Sequence, residues 1–461
     1  MFCTRRREHP VAIIAPFRGS TYPFENGEDF SRLVAPPYDV ISPEEQDNLY
    51  QKDPHNIIRM ILGKKKTGDS DWDNKYTRAA DYFKRWEMQG TLNRADRPCL
   101  YVSAMTYDPR NGEPRKTRWG LIALVRIEEE DSGIILPHER TFSAHRDDRL
   151  RLMRACNAQF SQVFALYEDP ENMIMGLCQN AMHMEPQVSF DLEDGTSHQM
   201  WIIEAPSIAR KISQAFQPKR LFIADGHHRY ETARNYRNMM RTRFGKKPAN
   251  RSYEFAMMYL TNMNDEGLTI LPSHRLVKNA PGFELKEFLS RIETWFTVEK
   301  IPLPSGDPAD GSPNFRNALA KAGISNTVIG FYHGGAENGY ILSLKNGMRN
   351  EMGEDLHPAL KELDVLVLSR FLFQKALGFT KAQLDDEKVF QYQSSMRSAL
   401  SLVHSQAFQM TFLLNPTKME QVKKIAGLSL VMPRKSTYFF PKVLTGLVLN
   451  KIDPYEIIQA P

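Results

Sequence analysis

LFIADGHHRYETARNYRNMMRTRF, residues 221–244, sets a strand, a charged turn and a helix end to end. Leu221 to Ala224 is an apolar run of the length a buried strand uses, and Asp225-Gly226 interrupts it. From Tyr230 onward Ala233, Tyr236, Met240 and Phe244 recur every three or four positions, the spacing of one helical face. His227, His228 and Arg229 therefore fall on the first turn of a helix, just past a strand end. Backbone N–H groups at that place lack partners within the helix, and the helix dipole adds partial positive charge, so an anion is favoured. Asp225, Gly226, His227, His228 and Arg229 read as a phosphate cradle.

The surrounding chain is long enough to serve such a site. Its 461 residues, 41% hydrophobic and 25% charged, bury a substantial core and are expected to form two domains rather than one. No apolar run reaches the length of a membrane span, and Val11 to Phe17 behind Arg5, Arg6 and Arg7 is too short for a secretory segment, so a cytoplasmic location is expected. Cys3, Cys99, Cys156 and Cys178 are far apart without a C-x-x-C, which points to reduced structural thiols. A net charge of +5 is modest for a nucleic-acid binder. The basic excess gathers near the opening stretch, in Arg220, Arg229, Arg234, Arg237, Arg241, Arg243, Lys246 and Lys247. The later members suit a solvated helix face as well as an anion, whereas Arg229 on the first turn points to the anion.

Periodicity gives an α+β, mixed α/β fold of antiparallel hairpins with flanking helices. Leu100 to Tyr107 and Thr117 to Ile127 flank the turn Asp108 to Gly112, and Val328 to Tyr332 pairs in the same way with Tyr340 to Leu344. Val11–Phe17, Val163–Tyr167, Met200–Glu204, Phe255–Leu260, Thr269–Leu271 and Ala407–Leu414 are further strands. Helices are expected after Ser42-Pro43-Glu44-Glu45, through Tyr76 to Trp86 with Gly90 as the stop, through Phe283 to Phe296, and over 360–376. The run Pro302 to Pro313, rich in Pro, Gly, Ser and Asp, reads as a loop. It suggests a division into 1–300 and 301–461, with one integrated domain as the alternative.

Four further segments carry chemistry. Pro36-Pro37 holds Tyr38 and Asp39 on a stiff extended loop, either the wall of a site or a plain connector with Asp39 exposed. His138-Glu139-Arg140-Thr141, followed by His145 to Arg151, mixes a histidine, a carboxylate, a hydroxyl and guanidiniums, which suits proton transfer beside a phosphate. A zinc-type H-E-x-x-H is excluded, because position 142 is Phe142. Asp147, Arg149 and Arg151 also suit a surface ion-pair ladder, and His274-Arg275 a polar strand end. Arg434, Lys435, Ser436 and Thr437 form a second candidate anion site or a basic surface loop.

Taken together, Pro36 to Ile41, His138 to Thr141, Ala224 to Ala233 and Lys435 to Phe439 resemble the bacterial and archaeal family known as domain of unknown function 1015. More distantly, the D-G-H-H-R turn is similar to the nucleotide-binding turn of the ParB and sulfiredoxin superfamily, which includes free serine kinases. That resemblance implies a nucleotide-binding core, with Gly226 and Arg229 at the positions that hold phosphates. The turn has no cysteine for sulfiredoxin chemistry, and no helix-turn-helix supports a DNA clamp.

The resulting expectation is a nucleotide-dependent, kinase-like phosphotransferase acting on a small polar metabolite, free serine being the most specific choice. ATP or ADP with Mg2+ is the expected cofactor. Gly226, His227, Arg229, Arg434, Lys435, Ser436 and Thr437 would bind it, with Glu139 as base, His138 and His228 assisting, and Asp225 orienting a histidine or the metal. Nucleotide and small substrate are the expected partners, homo-oligomerisation is left open, and neither membrane nor nucleic acid is expected. The alternatives are a metal-assisted phosphatase with Asp225, His227, His228 and His138 around a divalent ion, and a non-enzymatic nucleotide sensor. Adjacent histidines on one turn do not readily share one metal, which weighs against the phosphatase.

Overall fold

In a computed structural model, residues 11–24, 29–110, 112–139, 143–304, 306–384 and 386–460 are described, with backbone alone at 143–145. The chain divides into two units: Met1–Pro137, Thr141–Thr269 and Pro441–Pro461 make the first, His138–Arg140 and Ile270–Phe440 the second. The principal elements of the first unit are β1 (Ile14–Ala15), α1 (Pro43–Lys52), α2 (Lys75–Gln89), β2 (Leu100–Tyr107), β3 (Lys116–Arg126), β4 (Ile135–Leu136) and α3 (Ser143–Cys156). They continue with β5 (Val163–Tyr167), β6 (Val188–Asp191), β7 (Ser197–Ile203), α4 (Pro206–Phe216), β8 (Leu221–Asp225), α5 (His227–Phe244) and β9 (Phe255–Asn262).

Nine strands form one mixed sheet in the order β4-β8-β5-β9-β3-β2-β7-β6, with β1 also paired to β3. The β4–β8 and β5–β9 pairs are parallel and the others antiparallel. Every residue of β5 and β9 is buried, so these strands read as continuous apolar runs rather than alternating ones. On α5 the stripe Tyr230, Ala233, Tyr236 and Met240 packs into the same core as Leu221, Ile223, Met258 and Leu260. The expected caps are present: the Ser42 side chain accepts from the Glu45 N–H, Asn74 and Thr77 form a capping box, and left-handed Gly90 ends α2.

The second unit holds β10 (His274–Val277), α6 (Leu285–Ile292), β11 (Phe296–Pro302), α7 (Ser312–Ala322), β12 (Val328–His333), β13 (Asn338–Leu344), β14 (Phe390–Gln393) and β15 (Met410–Leu413). Its sheet, ordered β11-β13-β12-β15-β10-β14, is antiparallel throughout. The fold is thus α+β, as the periodicity indicates. The two units part at Thr269–Ile270, and the tail from Pro441 returns to the first unit. Within the loop-like stretch 302–313, Pro308 and Pro313 sit in the first turns of two helical segments, Pro308–Gly311 and α7, where proline needs no N–H partner. The helix expected over 360–376 is broken into Pro358–Lys361, Asp364–Val367 and a π-helical stretch Leu368–Ala376.

One close approach fixes the middle of the large sheet. Gly120 of β3 lies beneath the ring of Tyr259 on β9, and a Cβ there would stand 2.1 Å from Tyr259 Cζ. The ring has nowhere to go: it is buried and edge-on to Phe164, with the Arg118 guanidinium 5.4 Å from its centre. Gly120→Ala is therefore expected to lower stability by about 1–3 kcal/mol, read as a fall in melting temperature. An unchanged melting temperature would contradict this packing.

Candidate functional site

The turn after β8 is built by one glycine. Gly226 takes φ 89° and ψ 29°, the left-handed region that other residues occupy at a cost, and starts the eighteen-residue helix α5. As a glycine it brings no side chain to cap the helix. A Cβ at 226 would stand 2.8 Å from Arg229 Nε, because the Arg229 guanidinium folds back over the turn. Arg229 donates to the Gln162 carbonyl and to Asp225 Oδ2, while Lys442 Nζ meets Asp225 Oδ1 at 2.5 Å. Each oxygen of Asp225 is thus held by a different cation. His227 is buried and His228 half-buried on the same turn.

The rest of α5 shows what its basic residues do. Glu231 pairs with Arg146 at 2.5 Å. Arg237 is only 1% exposed and donates to the Ile127 carbonyl at 2.7 Å. Arg241 pairs with buried Glu254 at 2.6 Å and with Glu129 at 3.1 Å. These cations brace the helix rather than presenting a solvated face.

Beside the turn, the stiff loop after Pro37 places Tyr38 under the Arg149 guanidinium, 4.0 Å from the ring centre. Burial pushes the Tyr38 hydroxyl up to about 12, against the opposing pull of Arg149. Asp39 is exposed, as the connector reading has it. Arg149 itself donates to the Ile61 carbonyl at 2.6 Å and to Asp148 at 2.9 Å through Nε. Asp148 also accepts from Lys75 at 2.5 Å and from the Tyr76 hydroxyl at 2.8 Å. Of the residues expected to form an exposed ladder, Asp147 and Arg151 are exposed, whereas Arg149 is buried beside the partly buried Asp148. Tyr38, Arg149, Arg229, Ser161 and Thr232 line a cavity of about 50 Å³ against α5.

In the second unit, two of the sequence motifs meet. His138 is 0% exposed, its Nε2 lies 3.1 Å from Thr437 Oγ1, and its carbonyl accepts from the Met432 N–H. Glu139, half-buried, forms a parallel bridge with Met432. Arg140 and Thr141 lie outside the described residues. Ser436 donates its hydroxyl to the Pro433 carbonyl at 2.6 Å, and Arg434 pairs with Glu387. Arg275 grips the same turn through the carbonyls of Lys435 at 3.0 Å and Arg434 at 3.4 Å. Burial brings its guanidinium down to about 10, opposed by Tyr392 and Glu139. Its neighbour His274 is lowered to about 3 by burial and by Arg275, and accepts at Nδ1 from the Leu414 N–H. That pair shapes the sheet and the turn.

The donor sets do not favour a protein-held divalent ion. Asp225 is occupied at both oxygens by cations, and among the described residues no cluster of three His, Cys, Asp or Glu is placed to hold a metal. Asp225, expected to orient a histidine or the metal, meets Arg229 and Lys442. The three described cysteines are buried free thiols, pushed up by burial to about 11 for Cys99 and about 12 for Cys156 and Cys178. Among the described residues no helix is long and apolar enough to cross a membrane. Sequence reading gave Thr232 no role of its own. Lys442 lies in the basic stretch that suggested an anion site, but Thr232 gives no signal except its place on the helix.

The family described as Protein of unknown function (DUF1015) matches residues 14–366. No curated protein matches the chain. Among solved structures, a conserved hypothetical protein from Pyrococcus furiosus aligns at 11% identity and TM-score 0.32, covering 70% of this chain and 94% of its own. A free serine kinase in complex with AMP aligns at 12% identity and TM-score 0.31, covering 68% and 89%. SbnI with a C-terminal truncation, from Staphylococcus aureus, aligns at 9% identity and TM-score 0.33, covering 70% and 85%.

The Asp148 cluster makes a pH prediction. Burial acts to raise its carboxyl, but Arg149, Lys75 and Tyr76 outweigh burial and hold it below the ordinary 3.8. The unfolded chain thus takes up the proton first, so the cluster's stabilisation is complete above about pH 4 and is lost as pH falls from there toward the folded value. Asp148→Asn is expected to cost about 1–3 kcal/mol at neutral pH, at the low end for a buried pair because the side chain is 28% exposed. Urea titrations at pH 7 and pH 3 should show that deficit shrinking. A deficit that stays constant would remove Asp148 from the account.

Proposed function

The chain belongs to the DUF1015 family, whose name leaves activity open, and we propose that it is a nucleotide-dependent phosphotransferase acting on a hydroxyl of a small polar metabolite, free serine being the most specific candidate. The observation that carries the reading is the left-handed Gly226 start of α5, with Arg229 and Lys442 on either side of Asp225. Phosphoryl transfer asks chiefly for positioning and charge neutralisation. The helix start supplies the positive end of its dipole, the two cations supply positive charge, and Asp225 fixes where those cations stand.

In the proposed reaction the acceptor oxygen forms a bond to the terminal phosphorus of ATP or ADP, and the bond to the leaving nucleotide oxygen breaks. The acceptor proton passes to a carboxylate, for which Glu139 is the candidate. A divalent ion would arrive on the nucleotide's own phosphates and neutralise part of their charge. The proposal includes a core of the ParB and sulfiredoxin kind. It assigns to Arg434, Lys435, Ser436 and Thr437 the shaping of their own turn around His138, since Ser436 and Arg434 are already engaged there.

The test is a thermal-shift titration with MgATP, MgADP and AMP, followed by chromatographic detection of a phosphorylated acceptor. A nucleotide present at about a hundredfold excess over its Kd stabilises the native state by about 2.7 kcal/mol. Arg229→Ala is expected to weaken nucleotide binding at least tenfold. Glu139→Gln is expected to keep the nucleotide shift and lose turnover. If no nucleotide raises the melting temperature, or Arg229→Ala responds like the parent protein, the phosphate role of the turn is wrong. Unchanged turnover in Glu139→Gln would remove that residue as the base.

A further inference from the structure

The cavity against α5 has features that the phosphate-binding turn does not use. Thr232 sits on the second turn of α5, is 1% exposed, and lines the cavity, yet its hydroxyl has no hydrogen-bond partner. A helical threonine ordinarily bonds back to the carbonyl one turn earlier, and this one does not. Leaving a hydroxyl dry in an apolar surrounding costs about 1–3 kcal/mol, so the position is explained by something that enters the cavity and meets it. Nearby Gln162 is equally buried, and neither its amide oxygen nor its nitrogen has a partner.

The cavity's other walls define the chemistry of that occupant. Two guanidiniums reach it, from Arg149 and Arg229. Each keeps N–H donors beyond those engaged: Arg149 uses Nε, Nη1 and Nη2 once each, and Arg229 uses only Nη1 and Nη2 once each. A guanidinium has five donors, so at least two remain on each. Most of the remaining wall is apolar, including Leu152, Val163 and Met257. A volume of about 50 Å³ is room for about four water-sized groups, which is too small for a nucleoside and right for a short acid.

We propose that this cavity binds a two- to four-carbon carboxylate, its charged end on Arg149 and Arg229, its apolar carbons against Leu152, Val163 and Met257, and a polar substituent on the Thr232 hydroxyl. Apolar walls favour such an acid over inorganic phosphate, which has no carbon to place there. Tyr38, stacked under Arg149 on its proline-stiffened loop, forms one wall and holds that guanidinium in place. Arg229 is shared with the turn, whereas Thr232 and Arg149 take no part in it, so the Thr232 substitution tests the cavity separately from the phosphotransfer reading.

The test uses the full chain and a panel of lactate, glycerate, serine, propionate and inorganic phosphate, read by thermal shift and isothermal titration. At least one hydroxylated or aminated short carboxylate is expected to bind, more tightly than propionate, with phosphate silent. Thr232→Val keeps the side-chain shape and removes the hydroxyl. It is expected to raise the melting temperature of the ligand-free protein, to weaken binding of the hydroxylated acid at least tenfold, and to leave the propionate response as it was. The response to MgADP serves as the separate readout for the turn, and its presence or absence does not bear on the cavity. A panel that never shifts the protein overturns the proposal, as does a Thr232→Val variant that binds the hydroxylated acid as tightly as the parent. Phosphate binding in preference to every carboxylate would overturn the assignment of ligand class.

Discussion

The carboxylate of Asp225 holds together the chemistry of the first unit. It ends a buried strand, and its two oxygens meet Arg229 from the helix that follows and Lys442 from the returning C-terminal tail. Two cations brought this close repel one another unless a carboxylate stands between them. The carboxylate offsets that repulsion and keeps both cations close to a helix start. The glycine that follows makes the arrangement sterically feasible, since a side chain at 226 would collide with the Arg229 guanidinium. Removing Asp225 would take that carboxylate from two partly buried cations, with the Gln162 carbonyl still accepting from Arg229. Position of charge, more than any single catalytic group, is what the turn offers.

Much of this was legible in the sequence, for identifiable reasons. Strand β8, the glycine and the apolar stripe of α5 are local patterns, fixed by residues within a few positions of one another. The first-turn placement of Arg229 follows from them directly. Capping at Ser42 and the stop at Gly90 are equally local. What the sequence hid is long-range: Lys442 meets Asp225 across more than two hundred residues, and no spacing rule announces that pair. Arg149 illustrates a second kind of loss. Its charged neighbours suggest a solvated ladder, but the Ile61 carbonyl and the Tyr38 ring enclose it from distant parts of the chain. Loop-forming prolines also start helices, as Pro308 and Pro313 do. Only contacts distinguish the two.

The stretch 432–447 contributes to both units. Its cations and hydroxyls suggested one anion site, but the structure divides their work. Thr437 meets His138 and Ser436 closes its own turn in the second unit, whereas Lys442 belongs to the first unit and holds Asp225. Arg275, which looked like a polar strand end, braces the turn through two carbonyls. A buried guanidinium used in this way supports a backbone conformation, and the left-handed Lys435, at φ 55°, is the conformation it supports.

The central claim is that the Gly226 turn receives an anion through its backbone, and amide spectroscopy reads this most directly. With glycine and histidine labelled in 15N, a titration with MgADP should shift the backbone amides of Gly226, His227 and His228 saturably, with one common Kd, while those of Gly120 and His274 stay still. If MgADP binds while those three amides do not move, the nucleotide sits elsewhere and the phosphate cradle is refuted.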